Sequence, residues 1–231
     1  MLTSFDDISA VQKLAAFLPT ILLLGACSQS QTAPQSRASV QRPVAAGLAA
    51  RPETRQCLSN LGATRAAFTP LPDQYYGAGC SALGSVLLTS LRTDDDKLHF
   101  SNLGPVACPL ADTLAGWARY GVDRAARQIL GSPLVRIETM GSYACRNIAG
   151  SDRRSAHATA SAVDVSAFVL ADGRRISVLG DWTGGTPDEQ RFLAVIHTSA
   201  CKRFGTVLGP GYNAAHRDHF HLEVSERSFC R

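Results

Sequence analysis

Six cysteines constrain the fold of this chain more than any other feature, because they lie in one segment and can crosslink it. They are Cys57, Cys80, Cys108, Cys145, Cys201 and Cys230. An even number of cysteines is typical of a disulfide framework formed in an oxidising compartment. No CxxC pair occurs, which disfavours cysteine as a zinc ligand. Sequence leaves several connectivities open, and we predict the pairs Cys57–Cys80, Cys108–Cys145 and Cys201–Cys230.

The seventh cysteine, Cys27, ends an apolar run that spans residues 14–26. A run of this length suits a secretory signal, and a small-residue pair before a cysteine resembles the bacterial lipoprotein signal. Asp6 and Asp7 depart from the usual positive charge before such a run. We predict a signal peptide at 1–26 and lipidation of Cys27. A cleaved signal with an incidental cysteine and an N-terminal core helix are the alternatives.

Composition divides the rest of the chain in two. Residues 27–55 are rich in Ser, Gln, Ala, Pro and Arg and lack aromatic residues, so we predict a flexible tether after the lipidated cysteine. Residues 56–231 form one predicted domain without a membrane-spanning stretch. The whole chain has a net charge of +4, but no nucleic-acid-binding motif accompanies it. We therefore expect an exported protein of the periplasm or cell envelope, held to the membrane by its N-terminal lipid and without a nucleic-acid partner.

Hydrophobic patterns predict an α+β domain: a small antiparallel sheet flanked by helices and stabilised by disulfides. The segments predicted to be strands are 85–91, 134–138, 162–168, 176–179 and 219–224. Helical spacing predicts helices over 109–130, where Gly121 is a point of division, and over 188–200. Strands and helices do not alternate regularly, so the sequence does not indicate a parallel sheet.

Two short segments, 155–164 and 216–221, contain the chemically informative residues. On a strand, His219 and His221 point to one face, whereas Phe220 and the apolar residues after His221 point to the other. Two imidazoles and a carboxylate from elsewhere are the ligand types of a catalytic zinc site. The first segment supplies further ligands, with His157 in a loop and Asp164 on the following strand.

These segments resemble the motifs of the zinc peptidase superfamily that includes D-Ala-D-Ala carboxypeptidase, lysostaphin and hedgehog proteins. The pattern is Ser-x-His, then Ala-x-Asp, then His-x-His near the C-terminus. More closely, residues 57–231 resemble the bacterial extensin-like C-terminal domain. The sequences that carry this resemblance are Tyr-Ala-Cys-Arg at 143–146, the 157–164 segment, Thr-Val-Leu-Gly-Pro-Gly-Tyr-Asn at 206–213 and the 216–222 segment.

The resemblance assigns roles to individual residues. It implies that zinc is bound by His157, Asp164 and His221, and that Asp218 acts as general base. His219 would stabilise the transition state or orient water, and Arg146 would polarise the substrate carbonyl. Structural roles for Asp218 and Arg146 remain open, as a turn residue and as an ion-pair partner.

One position departs from the pattern of the relatives. Ala160 stands where they usually have glycine, a residue favoured where φ is positive or the backbone is closely approached. If φ is positive there, Ala160 strains the loop without removing a ligand.

Three functions are consistent with these features. The first is an envelope-anchored zinc peptidase or amidase that acts on cell-wall peptides, with peptidoglycan implied by the resemblance. The second is a zinc-containing binding module of the envelope without hydrolysis, and the third is a structural envelope lipoprotein. A general base at Asp218 and an oxyanion donor at Arg146 distinguish the first from the second.

Overall fold

A computed structural model describes residues 52–94 and 96–231. The predicted signal peptide at 1–26, Cys27 and most of the predicted tether lie outside the described residues. Helix α1 begins at Pro52, so the last residues of the predicted tether, up to Arg55, are helical. Among the described residues, no helix is long and apolar enough to cross a bilayer.

The two helices predicted over 109–130 and 188–200 lie close to their predicted positions, and two further helices were not predicted. The helices are α1 (Pro52–Ala63), α2 (Cys108–Trp117), α3 (Val178–Gly184) and α4 (Pro187–Cys201). Two π-helical turns, Ala118–Asp123 and Ala126–Leu130, continue α2, which confirms helix over the predicted segment. A Cβ on Gly121 would lie 2.6 Å from Oγ of Ser199, so glycine lets the first of these turns approach α4.

The large sheet corrects the prediction of a small antiparallel one. The strands are β1 (Ala67–Pro70), β2 (Gln74–Gly77), β3 (Cys80–Ala82), β4 (Ser85–Arg92), β5 (Lys97–Ser101), β6 (Pro105–Ala107), β7 (Leu134–Gly141), β8 (Ala162–Leu170), β9 (Arg175–Ser177), β10 (Thr206–Leu208), β11 (Phe220–Glu223) and β12 (Phe229–Cys230). Ten of them form one sheet in the order β1-β4-β5-β7-β8-β11-β10-β12, with β6 on β4 and β9 on β8, whereas β2 and β3 pair separately. The sheet is mixed, because β5–β7 and β10–β12 are parallel.

The predicted strand at 176–179 is shorter than expected. Strand β9 ends at Ser177, whose side chain accepts a hydrogen bond from the backbone N–H of Gly180 and caps α3. Because a serine N-cap stabilises the first turn of a helix, Val178 and Leu179 are helical despite their strand-like side chains.

Two helices, α2 and α4, cover the apolar face of the sheet. Phe168 of β8 packs edge-on against Trp117 of α2 and Phe192 of α4. Trp117 also donates from Nε1 to the carbonyl oxygen of Ile196, at 3.1 Å. These side chains are fully buried, so the core lies on the helical side of the sheet.

A bulge in β8 determines which of its side chains face that core. Val165 pairs with Thr139 and Ala167 with Glu138, so Ser166 is the extra residue between them. A bulge reverses the alternation of side chains beyond it. Val165 and Phe168 therefore both belong to the core, although strict alternation would separate them. Asp164 points to the opposite face from its core-facing neighbours.

Three disulfides connect the described residues, and two of them differ from the predicted pairs. Cys201–Cys230 forms as predicted. The predicted Cys57–Cys80 and Cys108–Cys145 are wrong, because the bonds are Cys57–Cys108 and Cys80–Cys145. The first joins α1 to the start of α2, and these helices pack together. The second joins β3 to the loop after β7.

Candidate metal centre

Strand pairing brings two of the predicted ligands face to face. His221 of β11 lies directly opposite Asp164 of β8 in their antiparallel ladder. Opposite residues of adjacent strands share a face, with Cβ atoms about 4.5–5.5 Å apart. Phe220 and Leu222 alternate with His221 and are fully buried in the core, as the sequence predicts. The ladder therefore holds the imidazole and the carboxylate together on the face away from the helices.

A short 3₁₀ turn, Ala156–Thr159, supplies the third predicted ligand. Ser155 caps this turn by accepting a hydrogen bond from the backbone N–H of His157. Nδ1 of His157 lies 2.6 Å from the carbonyl oxygen of Ser142. A carbonyl only accepts hydrogen bonds, so Nδ1 carries the proton. In the neutral ring Nε2 of His157 is then unprotonated and available as a ligand, whereas in the protonated ring it donates to Oδ1 of Asp164.

Three ligand atoms converge at the centre. Nε2 of His157 lies 3.2 Å from Nδ1 of His221 and 3.2 Å from Oδ1 of Asp164. Nδ1 of His221 lies 2.9 Å from the same Oδ1. Tetrahedral zinc with ligands at about 2.0–2.1 Å requires ligand atoms about 3.3 Å apart. All three side chains are buried, so the donor set and its spacing fit a zinc ion.

A second group of possible ligands does not fit a metal in the same way. His197, Cys201 and Cys230 also lie close together. Both cysteines belong to the Cys201–Cys230 disulfide, so neither sulfur is a free thiolate. Among the described residues, the His157–Asp164–His221 group is thus the candidate centre.

The charges of the centre reinforce one another. Burial by itself raises the pKa of Asp164, but hydrogen bonds from His157 and His221 outweigh burial and hold it well below its ordinary range. Burial lowers the pKa of His221, whereas Asp164 and then Glu223 raise it, and the net pKa is above its ordinary value. The carboxylate is therefore ionised, and in the absence of metal His221 retains a proton to higher pH than a free histidine.

His219 lies beside the three ligands, and Asp218 orients it. Nδ1 of His219 donates to Oδ1 of Asp218 at 2.8 Å, because a carboxylate only accepts. Nε2 of His219 is 3.5 Å from Oδ1 of Asp164, so this nitrogen faces the centre. The Asp218 side chain is 39% exposed, and its carboxylate is engaged with His219.

Arg146 stands at the edge of the centre. Its Nη2 lies 4.0 Å from Oδ2 of Asp164, and its side chain is 51% exposed. The adjacent Cys145 is bonded to Cys80, which ties this loop to the β2–β3 hairpin. The guanidinium is therefore near the Asp164 carboxylate and half exposed to solvent.

An aromatic wall borders the centre on the side of the 3₁₀ turn Ala214–His216. The ring of His216 lies 5.2 Å from that of His219 and 5.4 Å from that of Tyr212. Burial and the positive charges of nearby histidines lower the pKa of His216 to about 4. His216 is therefore neutral at physiological pH, and its Nδ1 donates to Oδ1 of Asn213 at 2.7 Å.

Ala160 has the left-handed backbone that its position suggested, with φ of 54°. Its carbonyl oxygen accepts hydrogen bonds from the backbone N–H of Ala107, at 2.9 Å, and from Oγ of Ser142, at 3.3 Å. These contacts hold a conformation that costs a non-glycine residue about 1–2 kcal/mol. The loop between His157 and Asp164 thus closes despite the strain.

Three residues of the centre were not predicted from the sequence. Oε2 of Glu223 lies 3.5 Å from Nε2 of His221. Its position two residues after His221 on a strand is a signal that could have identified it. Ser142 acts through its backbone carbonyl, which has no sequence signal. Gly141 pairs opposite Asp164 with φ of 104°, and it leaves the space beside this carboxylate free of a side chain.

The chain was compared with protein families, curated proteins and solved structures. A family model described as extensin-like protein C-terminus matches residues 55–231. This match agrees with the resemblance seen in the motifs. No curated protein and no solved structure matches the chain.

Proposed function

We propose that this chain, which belongs to the extensin-like protein C-terminus family, binds zinc through His157, Asp164 and His221 and hydrolyses amide bonds of cell-wall peptides. The observation that carries the proposal is the convergence of Nε2, Oδ1 and Nδ1 of these residues within 3.2 Å of one another. The resemblance of the same motifs to zinc peptidases supports the reaction class. A bound zinc ion supplies Lewis acidity, which activates water and polarises a carbonyl group.

Proton transfer is assigned to Nε2 of His219. This nitrogen faces the centre, and Nδ1 of the same ring is already held by Asp218. The assignment revises the role that the resemblance implied for Asp218. Because the Asp218 carboxylate contacts His219, it acts as a positioning residue that fixes the tautomer and the ring orientation.

Arg146 is assigned to the oxygen of the scissile carbonyl. Its guanidinium is half exposed and close to the centre, so it has free donors for charge that develops on this oxygen. The rings of His216 and Tyr212 provide a partly apolar border that limits access of water on their side.

The substrate and the cellular location rest on the resemblance and on the N-terminal sequence. Cell-wall peptides, and peptidoglycan in particular, are the proposed substrate class. The apolar run before Cys27 supports export, and a lipid on Cys27 would hold the domain at the membrane of the cell envelope.

A zinc-containing binding module is the second candidate. Tyr75 and Tyr76 of the β2–β3 hairpin are 73% and 53% exposed, and Tyr76 lies against Tyr143 with ring centroids 4.9 Å apart. Exposed aromatic residues are typical of a recognition surface. Under this alternative the chain would bind wall or protein partners without turnover.

Metal analysis and digestion of purified peptidoglycan test the proposal together. We expect one zinc per chain in the parent and none in folded His157→Ala. His219→Gln should keep zinc but lose about 10²–10⁴-fold in cleavage rate, the usual contribution of a general base. Asp218→Asn should lower kcat without changing zinc content or KM, and Asp218→Glu should restore part of the rate.

The possible outcomes separate the candidate functions. Absence of bound metal from the folded, oxidised protein would overturn both zinc functions. Bound zinc would favour the binding module if mass spectrometry detects no fragments released from any wall preparation. Full activity of His219→Gln would show that His219 is not the residue that transfers the proton.

A further inference from the structure

A cavity of about 350 Å³ lies among residues that have no part in the metal centre. We call it the arginine pocket, and the described residues that line it are Ala63, Arg65, Arg92, Thr93, Asp94 and Arg119. They come from the end of α1, from the end of β4 with the loop after it, and from the π-helical turn after α2. The volume is in the range of small-molecule sites.

Within the described residues, the guanidinium groups of the pocket have a single carboxylate partner. Nη2 of Arg119 lies 3.2 Å from Oδ1 of Asp94, but its buried Nε has no hydrogen-bond partner in the described structure. Within the described residues, no ion pair involves Arg65 or Arg92. Among the described lining residues, three arginines and one aspartate leave a formal surplus of two positive charges. Asp96 does not line the pocket, and its Oδ1 accepts from the backbone N–H of Lys97.

The backbone at Arg65 is strained. Arg65 has φ of 54° and follows the last turn of α1, with its N–H bonded to the carbonyl of Gly62 at 3.0 Å. Glycine or asparagine is the usual residue where a helix ends in this conformation. An arginine here costs stability that glycine would not, and strain of this kind is found at functional positions. The chain thus has an arginine at a position where glycine would be more stable.

We infer that the arginine pocket binds a phosphate dianion, either inorganic phosphate or a phosphate monoester. A phosphate monoester carries about −1.5 to −2 charges near neutral pH, which matches the surplus of the pocket, whereas a carboxylate carries one. Guanidinium groups bind phosphate oxygens with paired, charge-assisted hydrogen bonds.

Calorimetric titration of the purified full chain with inorganic phosphate tests the inference. The titrations include the neutral chelator 1,10-phenanthroline, which prevents phosphate from binding to a metal ion. We expect saturable binding that weakens at least about tenfold in Arg92→Gln, through loss of a charge-assisted hydrogen bond. Asp94→Asn should tighten binding, because it removes the competing carboxylate.

Arg65→Gly separates binding from folding. It should weaken phosphate binding to a similar degree, while its Tm equals or exceeds that of the parent because the strain is relieved. Arg227→Gly removes an exposed arginine elsewhere and should leave the affinity unchanged. If Arg227→Gly weakens phosphate binding equally, the weakening reflects only the lower net charge of the protein, and the inference is overturned.

Two further results would also overturn it. One is the absence of saturable phosphate binding by the parent. The other is binding to phosphatidylglycerol vesicles that depends on Arg92 and is not displaced by inorganic phosphate, which would assign the pocket to a lipid surface.

Discussion

At the scale of single residues, Ala160 shows how the site depends on a backbone conformation. It is fully buried with φ of 54°, and it ends the turn that carries His157. A larger β-branched side chain is much less compatible with this conformation than alanine, whereas glycine adopts it freely. The position therefore tolerates change only towards a smaller residue.

We expect Ala160→Val to lower the free energy of unfolding by about 2 kcal/mol or more, through strain and overpacking. Ala160→Gly is the matched control and should stay within about 1 kcal/mol of the parent, since relief of strain is offset by greater freedom of the unfolded chain. Urea unfolding measures both. Equal destabilisation by the two variants would contradict a left-handed residue at this position.

The raised pKa of His221 predicts a pH dependence for zinc binding. The metal-free imidazole keeps its proton above its ordinary pKa, and zinc must displace this proton. Zinc affinity should therefore rise with pH through the usual histidine range and beyond it, by about tenfold per pH unit for each proton displaced. Competition with a chromophoric chelator at several pH values measures this slope.

His99→Gln provides the control for this prediction, because His99 is exposed on β5 and outside the centre. It should leave both affinity and slope unchanged, whereas His221→Gln should abolish tight binding. Zinc affinity that does not vary with pH would show that no protonated ligand is displaced.

At the scale of elements, the Cys80–Cys145 disulfide connects the β2–β3 hairpin to the loop of Arg146. None of His157, Asp164 and His221 lies on these elements, but the carbonyl of Ser142 in the same loop accepts a hydrogen bond from His157, so we expect the disulfide to act mainly on substrate contacts. The Cys201–Cys230 disulfide instead joins α4 to β12 and leaves the Arg146 loop untouched.

Replacing Cys80 and Cys145 by serine should lower the free energy of unfolding by about 4 kcal/mol, from the entropy of the loop that the bond closes. The same change at Cys201 and Cys230 should cost about 3.5 kcal/mol, because that loop is shorter. Zinc content should persist in both folded variants, and only loss of the first pair should raise KM for wall peptides. An equal rise in KM for both would contradict a specific role for the Arg146 loop.

Elements whose patterns are local could be predicted from the sequence. The capping box of Thr186 and Glu189, with Pro187 after the cap, begins α4 close to its predicted start. Alternation around His221 likewise predicts its face correctly. The bulge at Ser166 and the parallel pairing of β5 with β7 depend on distant strands, so the size of the sheet could not be predicted.

The disulfide pattern shows the same limit. Predicted pairs between neighbouring cysteines fail for Cys57 and Cys80, because packing of α1 on α2 brings Cys57 to Cys108 instead. Cys201 and Cys230 pair as predicted, since β12 returns alongside β10, the strand that follows α4. The sequence motifs predicted that His157, Asp164 and His221 come together, but the contact of Asp218 with His219 needed the structure.

At the scale of the whole molecule, one face of the sheet packs against helices and the other carries the candidate metal centre. Helices α2 and α4 bury the side with Phe168 and Phe220, and the candidate ligands His157, Asp164 and His221 occupy the other side. Because His221 joins the centre from a strand distant in sequence, a bound metal would stabilise the folded chain as a whole.

Saturation with zinc at 100 times its Kd should therefore stabilise the protein by about 2.7 kcal/mol. For a domain of this size, the corresponding rise in Tm is roughly 5–10 °C. Thermal unfolding with zinc and with 1,10-phenanthroline measures the difference, and magnesium should not restore the higher Tm. Identical transitions with and without chelator would argue against a metal bound to the native state.

The pairing of His221 opposite Asp164 has a practical consequence for preparing the protein. His157 and Asp164 are close in sequence, so a misfolded chain can still present both, but only native pairing of β8 with β11 adds the third ligand. Under the proposed zinc binding, metal stoichiometry therefore reports the correctly folded fraction of a sample. Scrambled disulfide isomers that lack the native sheet would be recognised by their low zinc content and could be discarded before any assay.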